Sequence, residues 1–399
     1  MINPSASGWI DKFFIVQKFT KETVSTDPTI FYNNTRSTGF IYGHIISFNT
    51  EKLIDIKGWF KDEVSKVALL NTMYGIYCIN NKDLSEAIFL EKAVNFYNKM
   101  NPQGYNIFKK ILPKNSTSLT LEKIIDERVQ TNNSIISKNF SHLVTNALLF
   151  IDVLAFHQFM IHGEIPEKYL KKIEETIVNI VTLALKVKSK KSQYDDLLIK
   201  LFEASIRYSK FSKVSVQNLE TIQLDYFTNE LEKNYLLDMA GMALWSDTTV
   251  ENEELYFLHS LASTLSISDN FVSNSIKSTH DFIITHKKEI PYFNYSNPVK
   301  HFYGQTTQNV ITIISRNKNR LVKELMQSKE LMVLLSNSTI RDLDDKEKKK
   351  VKKQLLEICK TVPSLAIFLL PGGSLLLPIL IKFIPQLLPS TFNENKVDQ

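Results

Sequence analysis

The chain has 399 residues, 43% hydrophobic and 23% charged, which excludes wholesale disorder and allows two or three domains with a large core. Its net charge of +6 is concentrated, because residues 313–360 hold 13 Lys and Arg against 7 Asp and Glu. Gly (11) and Pro (12) are scarce, and five of the prolines fall from Pro363 onward, so the rest of the chain is poor in helix breakers and reads as all-α. Cys78 and Cys359 match no metal spacing and argue for a reducing compartment without a disulfide framework.

In chain order, Asp11 and Lys12 interrupt the N-terminal apolar run too early for a signal peptide. Ser65–Cys78 and Leu84–Tyr97 carry apolar residues at helical spacing, and Leu143–Met160, apolar all round, reads as the central helix of a first bundle. Residues 98–120, with Pro102, Gly104 and Pro113, read as a long loop. Tyr169–Val187 and Tyr194–Tyr208 each carry an apolar stripe. Lys210–Asp225 alternates and reads as a connector, with a two-strand ribbon as the alternative. Pro291 to Tyr303 closes a second bundle. The expected divisions are an N-terminal helical bundle over 1–210, a helical module over 211–312, basic amphipathic helices over 313–360, a hydrophobic segment over 361–392 and a tail over 393–399.

Within Leu236–Ser268 a small-residue helix runs to Trp245, a Ser246–Asp247–Thr248–Thr249 turn follows, and Glu251, Glu253 and Glu254 open the next helix. Acidic residues suit the positive end of a helix dipole, so capping explains them. The pattern also resembles the tellurite-resistance TerB-type module, with Asp247 and Glu254 at its acidic positions and Thr248 where that family has Gly. The resemblance implies a metal site at Asp247 and Glu254.

Beyond a helix at Asn319–Leu335, Asp344 and Glu347 form a capping-box pattern. Val351, Leu355 and Ile358 make an apolar stripe on the helix that follows. Lys346, Lys348, Lys349, Lys350, Lys352 and Lys353 fill its other faces, as a solvated surface or as a contact for anionic lipid or RNA. Thr361 to Ile381 then gives 21 residues without a charge. As a helix these cover roughly 31 Å, about the thickness of a bilayer core. Pro371, Pro378 and Pro385 recur every seventh residue on nearly one helix face, and would free the carbonyls of Ile367, Ser374 and Ile381. In lipid those carbonyls need another partner, which the Ser374 hydroxyl can supply. A single proline-kinked span, a re-entrant hairpin broken at Pro371–Gly372–Gly373, and a water-soluble core all remain open. Lys382, near the end of the segment, can snorkel to an interface.

Leu343, Glu347, Val362–Pro363, Leu376–Leu377–Pro378, Lys382, Phe383, Pro385 and Leu388–Pro389–Ser390–Thr391–Phe392 together resemble the LETM family of inner-mitochondrial-membrane proteins and their bacterial relatives. A long helical body ahead of such a tail looks like the bacterial LETM-related proteins described as biofilm-associated. Two departures stand out. Ser374 occupies the place of the family's carboxylate, which puts ion exchange in doubt. Only seven residues follow Phe392, where the family's ribosome-binding domain is expected.

The resemblance implies a non-enzymatic, membrane-tethered protein with an interaction, stress or biofilm-linked role. The basic flank puts its body on the cytoplasmic side of a bacterial inner membrane. A cation or proton homeostasis component and a ribosome- or RNA-associated factor are the alternatives. Membrane lipid is the expected partner and a homo-oligomer is compatible; no cofactor or small-molecule substrate is indicated. No phosphate-binding glycine loop, nucleophile elbow or paired-histidine zinc motif occurs. His157 and His162 read as capping or surface residues, and Cys78 and His259 as core residues.

Overall fold

The computed structural model describes residues 2–17, 27–100, 116–130, 141–188, 218–244, 251–286, 318–341 and 343–361, with isolated positions between them. All regular elements among the described residues are helical, as the shortage of breakers predicts. No helix among them is long and apolar enough to cross a membrane; residues 362–380, most of the expected span, lie outside the described residues. The chain divides into two units. Unit 1 comprises Met1–Asn132 and Ser141–Asn294, and unit 2 comprises Asn133–Phe140 and Tyr295–Gln399. The division expected at residue 210 falls inside unit 1.

In chain order unit 1 holds α1 (Trp9–Gln17), α2 (Pro28–Ser37), α3 (Lys61–Asn80), α4 (Glu86–Lys99), α5 (Thr117–Gln130), α6 (Ser141–Leu148), α7 (Phe150–His162), α8 (Tyr169–Val187), α9 (Glu230–Leu244), α10 (Asn252–Thr264) and α11 (Asp269–His286). Helix α3 is the hub of the first layer and packs on α7, α5, α4 and α2. Ten consecutive residues of α7, Phe150 to Phe159, are buried, as expected of a helix apolar on every face. The aromatic rings of Phe14, Tyr74, Phe89 and Phe156 meet edge to face at 5.0–6.2 Å, joining α1, α3, α4 and α7. Helix α9 is the hub of the second layer, against α8, α11, α10 and α2.

Several elements depart from the sequence reading. The helix expected at Leu143–Met160 is two helices, broken at Leu149. There the Leu149 N–H bonds the Asn146 carbonyl at 3.1 Å and the Asp152 N–H bonds the Leu149 carbonyl at 3.0 Å, a tighter turn than an α-helix makes. The Ala147 carbonyl takes the Tyr235 hydroxyl instead, at 2.8 Å. The loop expected over 98–120 ends in α5, whose first turn is capped when the Leu119 N–H donates to Ser116 Oγ at 3.3 Å. The ribbon offered for Lys210–Asp225 is replaced, over its described part, by two single 3-10 turns at Leu219–Thr221 and Leu224–Tyr226. Tyr169–Val187 is helical from end to end. Most of Tyr194–Tyr208 and all of Pro291–Tyr303 lie outside the described residues.

Buried carboxylates join the helices of unit 1. Asp238 on α9 accepts from the Tyr32 hydroxyl at 2.7 Å and from Ser275 Oγ, and lies 3.5 Å from the Arg36 guanidinium, tying α2 and α11 to α9. Asp152 on α7 takes a two-pronged pair from Arg128 of α5 and the Tyr97 hydroxyl of α4 at 3.3 Å. Glu232 on α9 accepts from Gln158 of α7 at 2.6 Å and from the Tyr169 hydroxyl of α8 at 2.8 Å. All three acids are almost fully buried. Burial pushes the Asp238 and Glu232 carboxyls up, and their donors pull them back only in part. At the edge, the Gly8 and Ile10 N–H groups both donate to Glu122 at 3.0 Å, so a carboxylate sits on the N-terminus of α1.

Asp238→Ala strands the buried Arg36 charge and two hydroxyls, and is expected to cost about 3–5 kcal/mol in urea unfolding followed by circular dichroism. Arg36→Met combined with Asp238→Leu is expected to cost less than the single change; an Asp238→Ala loss within about 0.5 kcal/mol would refute the network's role. Two glycines with positive φ separate conformational from steric cost. Gly163 (φ 77) caps α7 with open space where a Cβ would stand, so Gly163→Ala is expected to cost about 1–2 kcal/mol. At Gly39 (φ 79) a Cβ would lie 2.0 Å from the His44 carbonyl oxygen and 2.8 Å from the Phe282 ring. Gly39→Ala is expected to lower the melting temperature further than Gly163→Ala does.

Candidate functional site

Unit 2 is described through α12 (Lys318–Met326), α13 (Lys329–Ile340) and α14 (Asp345–Thr361), which pack on one another. The single helix expected at Asn319–Leu335 is split because Ser328 caps α13, accepting the Leu331 N–H at 3.3 Å. The start of α14 is the expected capping box. The Glu347 N–H donates to Asp344 Oδ1 at 2.8 Å, and the Asp344 N–H donates to Glu347 Oε2 at 2.9 Å. Arg341 then grips the same Glu347 carboxylate with two N–H donors, at 2.6 and 2.8 Å. These contacts hold the Glu347 carboxyl down to about 2, the Arg341 donors first and the Asp344 N–H second. Leu343, one residue before the cap, is buried.

Val351, Leu355, Ile358 and Cys359 make the buried face of α14. Lys346, Lys348, Lys349, Lys350, Lys352 and Lys353 are all exposed. Lys350 is ion-paired to Glu330 of α13, which also accepts from Gln354 at 2.8 Å. Among the described residues the other five lysines form no ion pair. Lys346, Lys349 and Lys353 are spaced three and four apart and occupy the face opposite the buried stripe. The arrangement is a helix with a cationic row that no ion pair among the described residues neutralises.

The remaining sequence-derived positions separate. Pro363, Pro371, Gly372, Gly373, Ser374, Pro378, Lys382, Pro385 and Pro389 lie outside the described residues, as does Asp247. Glu254 is buried and its carboxylate accepts the Glu251 N–H at 2.9 Å, the capping role offered for it. Cys78 is buried in α3, and burial pushes its thiol up to about 12, so it belongs to the core. His157 is a correction, because it is buried in α7 rather than capping or at the surface, and burial lowers it to about 4. His259 is the opposite correction. It stands half exposed on α10, 4.0 Å from Asp269, because it lies off the buried Phe257–Leu258–Leu261 face. One constellation has no sequence signature. His44, in the turn after α2, meets His286 at the end of α11 and Glu289 three residues later, with one ligand-type atom of each within 4.8 Å of the others.

Residues 343–399 match the family model described as LETM1-like, RBD. No curated protein and no solved structure matches the chain. The match supports a LETM1-like tail and covers a minor part of the chain. It opens at Leu343 and contains α14, whereas the sequence reading looks for a domain of that label beyond Phe392.

A carboxyl titration followed by NMR checks the start of α14. Glu347 is expected to titrate near pH 2 rather than at about 4.3, the ordinary value for Glu. A depressed carboxyl lends its stability above the ordinary Glu range and loses it as pH falls toward 2, so α14 should fray only in strong acid. Arg341→Ala should move the midpoint back upward.

Proposed function

We propose that this chain is a LETM-related, membrane-tethered protein without catalytic activity. Its helical body serves as an interaction module on the cytoplasmic face of a bacterial membrane. The LETM1-like match over residues 343–399 carries this reading, because the matched stretch runs from the capped basic helix into the 21 uncharged residues Thr361–Ile381. Cations ahead of an apolar stretch favour retention on the side of anionic headgroups. An apolar run of that length is stable only when lipid or protein covers it. A stress- or biofilm-linked role follows from the same kinship.

A second reading rests on the RBD description together with the exposed row Lys346, Lys349 and Lys353. In it, α14 contacts ribosomal RNA while the segment beyond it holds the membrane.

Membrane fractionation tests both. The chain is expected in the membrane pellet, resistant to high salt and released by detergent. Leu376→Arg with Ile379→Arg, each costing about 2.5–3.5 kcal/mol at the centre of a span, should move it to the supernatant. A wild-type chain washed off by salt alone would overturn tethering. Replacing Lys346, Lys349 and Lys353 with Glu should abolish salt-sensitive co-sedimentation with ribosomes under the second reading, and leave pelleting with membranes unchanged under the first.

A further inference from the structure

Two imidazoles and one carboxylate converge at one end of unit 1, where no sequence motif announces them. His286 Nδ1 lies 3.1 Å from Glu289 Oε2, and His44 Nε2 lies 3.6 Å from the same oxygen. The His44 and His286 ring centroids are 6.1 Å apart. The backbone fixes each member. His44 is held in a tight turn when its N–H donates to the Gly39 carbonyl at 3.2 Å, and Gly39 needs its positive φ to make that turn. Glu289 is turned back over the end of α11 when its N–H donates to the His286 carbonyl at 2.9 Å. The Phe282 ring lies 5.0 Å from the His286 ring and 6.3 Å from that of His44, closing the apolar side of the cluster.

We propose that His44, His286 and Glu289 form a binding site for a divalent first-row transition-metal ion of the Zn²⁺ class. Two neutral imidazoles with one carboxylate are the donor set of three-ligand zinc sites, in which solvent takes the fourth position. A tetrahedral ion with ligands at 2.0–2.2 Å places them roughly 3.3 Å from one another. The two separations to the carboxylate, 3.1 and 3.6 Å, bracket that figure, and the three ligand atoms all lie within 4.8 Å of one another. The two histidine side chains are 19% and 17% exposed and the carboxylate 61%, so an ion has a route in. Lys61 is the charged group of α3 that faces His44. A bound ion would tie the turn after α2 to the end of α11, a staple independent of any membrane role.

The test is titration of the metal-free full-length chain with Zn²⁺ by calorimetry, and with Co²⁺ by absorption in the visible range. One equivalent is expected to bind, with the intense d–d bands of a low-coordinate site and a rise in melting temperature. Glu289→Gln keeps shape and exposure, and should weaken binding roughly tenfold or more. His44→Ala with His286→Ala should abolish it, circular dichroism confirming the fold. Absence of Zn²⁺ binding by the wild-type chain, or equal binding by all variants, would overturn the proposal.

Discussion

A carboxylate taken out of water must be given its hydrogen bonds by the protein, and unit 1 depends on meeting that demand. Leaving one donor out strands a charge, so every helix supplying a donor is held to a single position. Asp238 receives Tyr32 and Arg36 from α2 and Ser275 from α11. Asp152 receives Arg128 from α5 and Tyr97 from α4, and Glu232 receives Gln158 from α7 and Tyr169 from α8. Close packing already resists sliding of one helix past another, and paired buried acids add a directional requirement to it. Aromatic contacts such as Phe89 with Tyr74 and Phe156 fill the space between, and the polar pairs set the register.

The local physics of the chain was open to reading from its letters. Tyr169–Val187 follows from its apolar period, and the start of α14 from Asp344 and Glu347, because both signals act over three or four residues. What escaped was non-local. Tyr32 and Asp238 are 206 residues apart, and no spacing rule links a tyrosine on one helix to an aspartate that distant. The break at Leu149 escaped for the same reason. No glycine or proline marks it, and the turn is stabilised by the Tyr235 hydroxyl arriving from α9. His259 was misplaced because Leu258 precedes it and Leu261 follows two residues on, and its own angular position on α10 decided the matter.

The basic helix of the tail was legible because its signal is contiguous. Lysines at 346, 348, 349, 350, 352 and 353 leave α14 only one face to bury, which Val351, Leu355 and Ile358 occupy. The sequence could not reveal how the charges are shared. Glu330 of α13 neutralises Lys350, and Glu357 holds Lys360 at 2.7 Å, so the cationic character is left to the N-terminal half of the helix.

That sharing bears on what an anionic partner meets. A helix N-terminus carries partial positive charge, and α14 already spends Asp345 and Glu347 there. Arg341 in turn occupies the Glu347 carboxylate with both of its prongs, so this acid does little to offset the lysines around it. Lys346, Lys349 and Lys353 therefore present their charge to solvent with small internal compensation, at a spacing of about 5 Å per turn. A row of that pitch on a rigid rod acts as a set rather than as separate point charges. Its attraction for a phosphate-bearing surface falls with salt over a Debye length of about 8 Å at physiological ionic strength. The uncharged residues that follow are indifferent to salt.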